Sequence, residues 1–358
     1  MRRSTFSAAT AVVCAAALCV SARADPQDVV IEQPGLGGGA IATAVSDVGY
    51  VAGGVEIPGC VHAALWRDGI PVELGVLGIP PSLLVASSAA TDVNNLGDVV
   101  GNSMTGAPRP EFCCLTIHAF LRAEGVMHDL GVLGTSTLQL ADGSVLFLDQ
   151  STATAVNDRR QVVGSSITSS GSQHAFLWQD GTMTDLGVLP GATFPSSIAS
   201  DINNTGQIVG WSGGRAVIWE DGEIRALPRL DPSRPLGDQA RAINDLGQVV
   251  GFGSTQGGVR GFFWDGKRLT ELRPLPGDVR SQAFDLNNRG QVVGFSCCSA
   301  SERLVLWEKG EAIAFPGLTG TPFVDETGGP TINNRGQIVG QSVDDETFAV
   351  HAYQIQTR

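Results

Sequence analysis

Positive charge is scarce in this sequence. Its 358 residues carry 23 Lys and Arg against 36 Asp and Glu, and only 16% are charged at all. Arg2, Arg3 and Arg23 stand in a leader described below, so the remainder has 20 basic against 36 acidic residues, a net of −16. An acidic chain repels phosphate backbones and anionic lipid, which sets aside nucleic-acid and membrane-surface binding. Long apolar runs are missing too: the one sustained run, Ala8 to Val20, is too short to span a bilayer. Reaction motifs are lacking. There is no Gly-x-Ser-x-Gly elbow, no phosphate loop and no Cys/His spacing of a structural zinc site. Glycine, by contrast, is abundant at 46 residues, alongside many Val, Ile and Thr. That composition fits turn-dense all-β structure and not a helical enzyme or a disordered acidic tail.

Arg2-Arg3, the apolar run and Ala22-Arg23-Ala24 form the three-part pattern of a secretory signal, with cleavage expected after Ala24. Neither a twin-arginine signal nor a lipid-attachment cysteine is matched, and the polar C-terminus shows no anchor. The expectation is a signal peptide over 1–24 and one exported domain over 25–358, secreted or periplasmic, monomeric and not inserted in a membrane. Five cysteines remain in that domain: Cys60, Cys113, Cys114, Cys297 and Cys298. Adjacent cysteines lie about 3.8 Å apart at Cα, shorter than most disulfides accept. A bridge from Cys60 to Cys113 or Cys114 is therefore the candidate. Cys297-Cys298 could form a strained vicinal bridge, and loop thiols without a role are the alternative.

Internal repetition dominates the chain. A phrase recurs seven times: a short strand, an Asn-rich turn, Gln-Val-Val-Gly, a loop, His-Ala-Phe-Leu-Trp, Asp-Gly, then Asp-Leu-Gly-x-Leu. Its second strand closes on Gly53, Gly101, Gly164, Gly210, Gly251, Gly294 and Gly340. The average spacing suits four short strands per unit, the size of a propeller blade. Ala42, Ala90, Ala153, Ala199, Ala240, Ala283 and Gly329 mark a position where backbones approach closely. Trp66, Trp178, Trp219, Trp264 and Trp307 close the third strand of five units, as expected for packing between blades. The seventh unit stops after its third strand, at His351 to Ile355, and Val30 to Gly38 reads in step with the missing fourth, Glu32 matching Asp185. The predicted fold is a seven-bladed β-propeller of four-stranded blades, its ring closed by an N-terminal strand that completes the last blade.

The His-Ala-Phe phrase with its Asn turns and Gln-Val-Val-Gly resembles the HAF-repeat family of exported bacterial proteins, from Val30 to Ile355. The resemblance implies a secreted or surface propeller of unknown biochemical role and transfers no catalytic residue.

Three features bear on chemistry. His62, His118, His174, Arg215, Arg260, Arg303 and His351 open the third strand of every unit; they read as an architectural hydrogen bond to a neighbouring strand, the alternative being a ring of donors for an anionic or carbohydrate ligand. Asp92, Asp201 and Asp285 each begin an Asp-x-Asn-Asn-x-Gly stretch, which hints at Ca²⁺ but lacks the distal bidentate Glu of such a loop and reads as a structural turn. Unit two is enlarged over Asn102 to Ile117 and Thr135 to Ser151, with a small hairpin expected at Ala141-Asp142-Gly143. Long loops on a rigid scaffold are where binding tends to sit, so Arg109, Phe112, His118 and Phe147 form the candidate binding face. The expected function is a non-catalytic binding scaffold without a cofactor, its partner an extracellular glycan or protein. The alternatives are a polysaccharide lyase or hydrolase with its site at the channel mouth, and a purely structural surface protein.

Overall fold

The computed structural model describes residues 30–32, 35–36, 39–78, 86–105, 116–139, 145–234, 236–297, 302–315, 321–322, 329–343 and 350–357. Residues 1–29, which include the expected signal peptide, and Arg109, Phe112, Cys113, Cys114 and Cys298 lie outside the described residues. Strands and turns account for the described chain, with no helix among them. Six four-stranded antiparallel blades span 40–75, 88–129, 151–185, 197–226, 239–272 and 280–314, each strand pairing with the next in sequence. Blade 7 takes Thr331–Ile332, Gln337–Val343 and Val350–Gln356 from the end of the chain and its outer strand, Val30–Glu32, from the beginning. Val30 pairs with Ile355 and Glu32 with Tyr353, the register that Met183 and Asp185 keep with Trp178 and Phe176 in blade 3. The seven-bladed propeller read from the sequence is the fold, and no bare sheet edge is left on the third strand of blade 7.

Each inner strand of blades 1–6 slips by one residue at the same place, for example between Ala42 and Ala44 and between Ala199 and Asp201. Such a bulge bends the strand and re-aims its last side chains. It also explains the recurrent glycine. A Cβ on Gly53, Gly101, Gly164, Gly210, Gly251 or Gly294 would fall on a main-chain carbonyl oxygen of the adjoining inner strand.

The core lies between blades rather than inside one. Trp264 of blade 5 packs with Val209, Ile218 and Leu227 of blade 4. The indole N–H is satisfied across the same boundary: Trp219 Nε1 donates to Leu186 O at 3.0 Å, and Trp307 Nε1 to Arg273 O at 2.7 Å. Serines staple successive blades. The hydroxyls of Ser88, Ser151, Ser197 and Ser281 accept the N–H of Ala63, Ala119, Ala175 and Gly261 in the preceding blade, and donate to the carbonyls of Gly75, Gly131, Gly187 and Leu272. One hairpin belongs to no blade. Ser136–Gln139 and Val145–Leu148 pair as a separate sheet between blades 2 and 3, as the Ala141-Asp142-Gly143 turn led one to expect.

Candidate functional site

At one mouth of the central channel the seven Asn turns converge around a space of about 170 Å³. The second residue of each turn is Asp47, Asn95, Asp158, Asn204, Asp245, Asn288 or Asn334. The backbone N–H of each donates to the side-chain Oδ1 of the next, and Asn334 returns to Asp47; the seven distances are 2.6–3.0 Å. A parallel circuit uses the first residue of each turn. Asn94, Asn157, Asn203, Asn244 and Asn287 donate from Nδ2 to the carbonyl of the following turn, and Asn333 donates to Ser46 O at 2.8 Å. The same asparagines hold their own turns, as when Asn94 Oδ1 accepts the N–H of Leu96 and of Asp98. Asn serves here because one short side chain both accepts and donates.

Just below lie Asp92, Asp201 and Asp285. Asp201 accepts Ile202 N–H and, from the next blade, Ile243 N–H, both at 2.7 Å. Asp285 does the same for Leu286 and Ile332, again at 2.7 Å. Asp92 accepts Val156 N–H at 2.8 Å and is bonded to Val93 N–H as well. Three carboxylates thereby serve six blades, which is why Asp alternates with Ala44, Ala155 and Ala242 along this column. Burial dominates their titration. It lifts Asp92 to about 7, Asp201 to about 6 and Asp285 to about 8, repulsion from nearby aspartates (Asp245 in the case of Asp201) adding to the rise and the backbone bonds opposing it. These aspartates face backbone donors, and among the described residues no group of three or more His, Cys, Asp or Glu lies at metal-binding spacing.

The basic ring of the third strand has a partner that was not anticipated. His62, His118, His174 and Arg260 pair with Glu73, Asp129, Asp185 and Glu271, each eleven residues on, on the outer strand of the same blade. The carboxylate pairing comes in addition to the backbone bond read from the sequence: His62 Nε2 also meets Ala86 O at 3.0 Å, and Arg260 donates to Val279 O, both in the connection to the next blade. Where blade 4 lacks the acid, Arg215 donates to Leu227 O at 3.1 Å; where blade 6 lacks it, Arg303 turns to Asp278 at 2.7 Å. His118, one of the residues proposed for binding, is thus committed to Asp129, whose hydrogen bond raises its pKa. Phe147 lies on the extra hairpin. Cys60 is half-buried with Sγ 3.6 Å from His62 Nε2.

A larger opening lies elsewhere. A cavity of about 400 Å³ separates blades 1 and 2 on the Asn-turn face, lined by Leu65, Val72, Leu96, Arg67, Arg122 and Arg160 together with Asp98 and Glu124. Sequence reasoning missed it, although a signal was present: Arg122 stands in the column that holds tryptophan in five other blades.

A family model described as a protein of unknown function (DUF3466) matches residues 83–227, which cover blades 2 to 4. No curated protein sequence matches the chain. Similar solved structures include the lectin of Aleuria aurantia, at 10% identity and a TM-score of 0.36, covering 87% of this chain and 91% of that one. The β-propeller domain of the trilobed protease of Pyrococcus furiosus matches at 9% identity and 0.35, over 75% and 95%. A gluconolactonase of Xanthomonas campestris matches at 12% and 0.33, over 55% and 82%. Likeness at this level carries no argument about ligand or activity.

Proposed function

We propose that this chain is an exported scaffold that binds an extracellular glycan or protein without transforming it, through the loop face of blade 2. The supporting observation is the hairpin Ser136–Gln139/Val145–Leu148, which stands outside every blade on the face opposite the Asn turns. The strand Val99–Met104 ends, and Ile117–Ala123 begins, on that same face. Phe194, Leu236 and Val279 are exposed in the connections of blades 3 to 6 on that side. In this reading Arg109, Phe112 and Phe147 make the contacts, and the Cys60 bridge to Cys113 or Cys114 would pin the loop that carries Phe112.

The test is retention of residues 25–358 on immobilised bacterial and plant polysaccharides and on native cell-surface protein. Replacing 136–148 by a short Gly-Ser link should weaken retention at least tenfold and leave the melting temperature unchanged. Equal retention by the variant would refute the assignment.

A second reading has its own support. Asp92, Asp201 and Asp285 titrate at about 7, 6 and 8 beside the channel mouth, the range in which general acids and bases work at neutral pH. A polysaccharide hydrolase or lyase would then release reducing ends from one polymer, and Asp92→Asn or Asp201→Asn, at the two that line the mouth, would stop it.

A further inference from the structure

Besides Tyr50 in blade 1 and Gln356 in blade 7, the repeat departs from its pattern at three positions that line one cavity. Opposite the first residue of the second strand stand Trp66, Trp178, Trp219, Trp264 and Trp307; in blade 2 the residue opposite Val99 is Arg122. In the Asn turns Gly49, Gly97, Gly206, Gly247, Gly290 and Gly336 take positive φ; blade 3 places Arg160 there, at φ 58°, a left-handed conformation that costs a branched-out side chain more than glycine. The next residue is Gln161, Gln207, Gln248, Gln291 and Gln337 in blades 3 to 7; blade 2 has Asp98. Arg122, Arg160 and Asp98 meet at the cavity of about 400 Å³ between blades 1 and 2.

The missing tryptophan accounts for the space. Elsewhere the indole packs on the third strand of the preceding blade: Trp178 with Leu121, Trp219 with Leu177, Trp264 with Ile218 and Trp307 with Phe263. Leu65 holds the corresponding register in blade 1, opposite Ala52, and together with Val72 and Leu96 it forms an apolar wall. Above that wall the charges are unevenly matched. Arg160 is bound by Asp98 and Glu124, both at 2.9 Å. Arg67 lies 5.2 Å over the Tyr50 ring. Arg122 has no hydrogen-bond or ion-pair partner among the described residues. Three guanidinium groups against two carboxylates leave this cavity with net positive charge, in a chain of net charge −13.

We propose that the cavity binds a carboxylate-bearing sugar residue, a hexuronate. Arg122, assisted by Arg67, takes the carboxylate in the forked geometry that guanidinium favours. Val72 and Leu96, with the buried Leu65 behind them, meet the C–H face of the ring; the exposed Glu124 carboxylate accepts its hydroxyls, while Asp98, buried and already accepting from Asn94 and Arg160, contributes its charge. Those two acids set the selectivity: a phosphate dianion without hydroxyl donors would meet them unfavourably, whereas a singly charged, hydroxyl-rich ring satisfies both signs. The volume falls within the range of roughly 300–1,000 Å³ usual for small-molecule sites. The site lies on the Asn-turn face, so it is independent of the hairpin reading above.

The experiment is calorimetric titration of residues 25–358 with free galacturonate, a galacturonate trimer and the neutral galactose trimer, repeated with Arg122→Trp, Arg122→Gln and Arg67→Gln. Wild type should bind the uronates and not the neutral trimer. Arg122→Trp and Arg122→Gln should each weaken binding at least tenfold. Arg122→Trp restores the repeat residue and refills the space, so its melting temperature should equal or exceed that of wild type, which separates lost binding from lost folding. Free galacturonate matching the trimer assigns a monosaccharide ligand, and preference for the trimer assigns a polymer; both support the site. Uronate binding unchanged in Arg122→Trp, equal binding of the neutral trimer, displacement by equimolar inorganic phosphate, or no uronate binding by wild type would each overturn it.

Discussion

Asp201 satisfies two backbone donors in two blades, each at 2.7 Å. Asp201→Ala would leave both N–H groups buried without that acceptor, at roughly 1–3 kcal/mol apiece. Urea unfolding should therefore show a loss of about 2 kcal/mol or more. The same aspartates give the protein a pH signature. Their folded pKa values, about 7, 6 and 8 for Asp92, Asp201 and Asp285, stand above the 3.8 of an ordinary aspartate. The folded state thus keeps protons that the unfolded chain has released, so their contribution is complete below about pH 4 and is lost as pH rises through 6 to 8. His118, raised by Asp129, acts in the same direction. Melting temperature should be higher at pH 5 than at pH 8, and a triple Asp92→Asn, Asp201→Asn, Asp285→Asn variant should flatten the profile; a wild-type optimum at pH 8 would contradict this assignment. The role of these residues was hidden in the sequence. Their second donors lie 64, 42 and 47 residues away, so locally each one reads as part of its own turn.

Strands were more legible, because their registers repeat. The pairing of Glu32 with Tyr353 could be read by laying Val30 to Gly38 over Met183 to Gly191, since the period-two alternation of a strand tolerates no slip by one residue. A chain beginning at residue 39 should melt at a lower temperature and self-associate through the uncovered Val350–Gln356 edge, visible as dimers or larger species on size exclusion. The tryptophan column was equally plain, and Trp219→Ala should cost about 3–5 kcal/mol by emptying the boundary between blades 3 and 4. What the pattern could not give was the consequence of a missing member. Arg122 occupies an ordinary-looking position until it is seen to line the cavity between blades 1 and 2 where the other blades place an indole.

The whole ring is sealed in two places that do not depend on each other. One is the outer edge of blade 7, where the two ends of the chain pair. The other is the channel mouth, where Asn333 and Asn334 bond Ser46 and Asp47 across 287 residues of sequence. Removing the N-terminal strand should therefore weaken the molecule without opening it, and small-angle scattering of that variant's monomer fraction should keep the wild-type radius of gyration. A closed ring also explains why the cavity could arise where it did: blades 1 and 2 are held at the hub and stapled by Ser88, so their boundary can lose an indole without separating.

The alternation of Asp and Ala on the inner strands gives the ring a parity. A carboxylate has two oxygens and serves its own blade and the next, so the natural module is a pair of blades. Seven is three pairs and a remainder. A lineage that gained or lost a single blade would set two aspartates side by side or leave two blades unserved, whereas a change by two would preserve the scheme. Duplication in this architecture is therefore constrained to even steps, with the odd blade confined to the seam where the chain begins and ends.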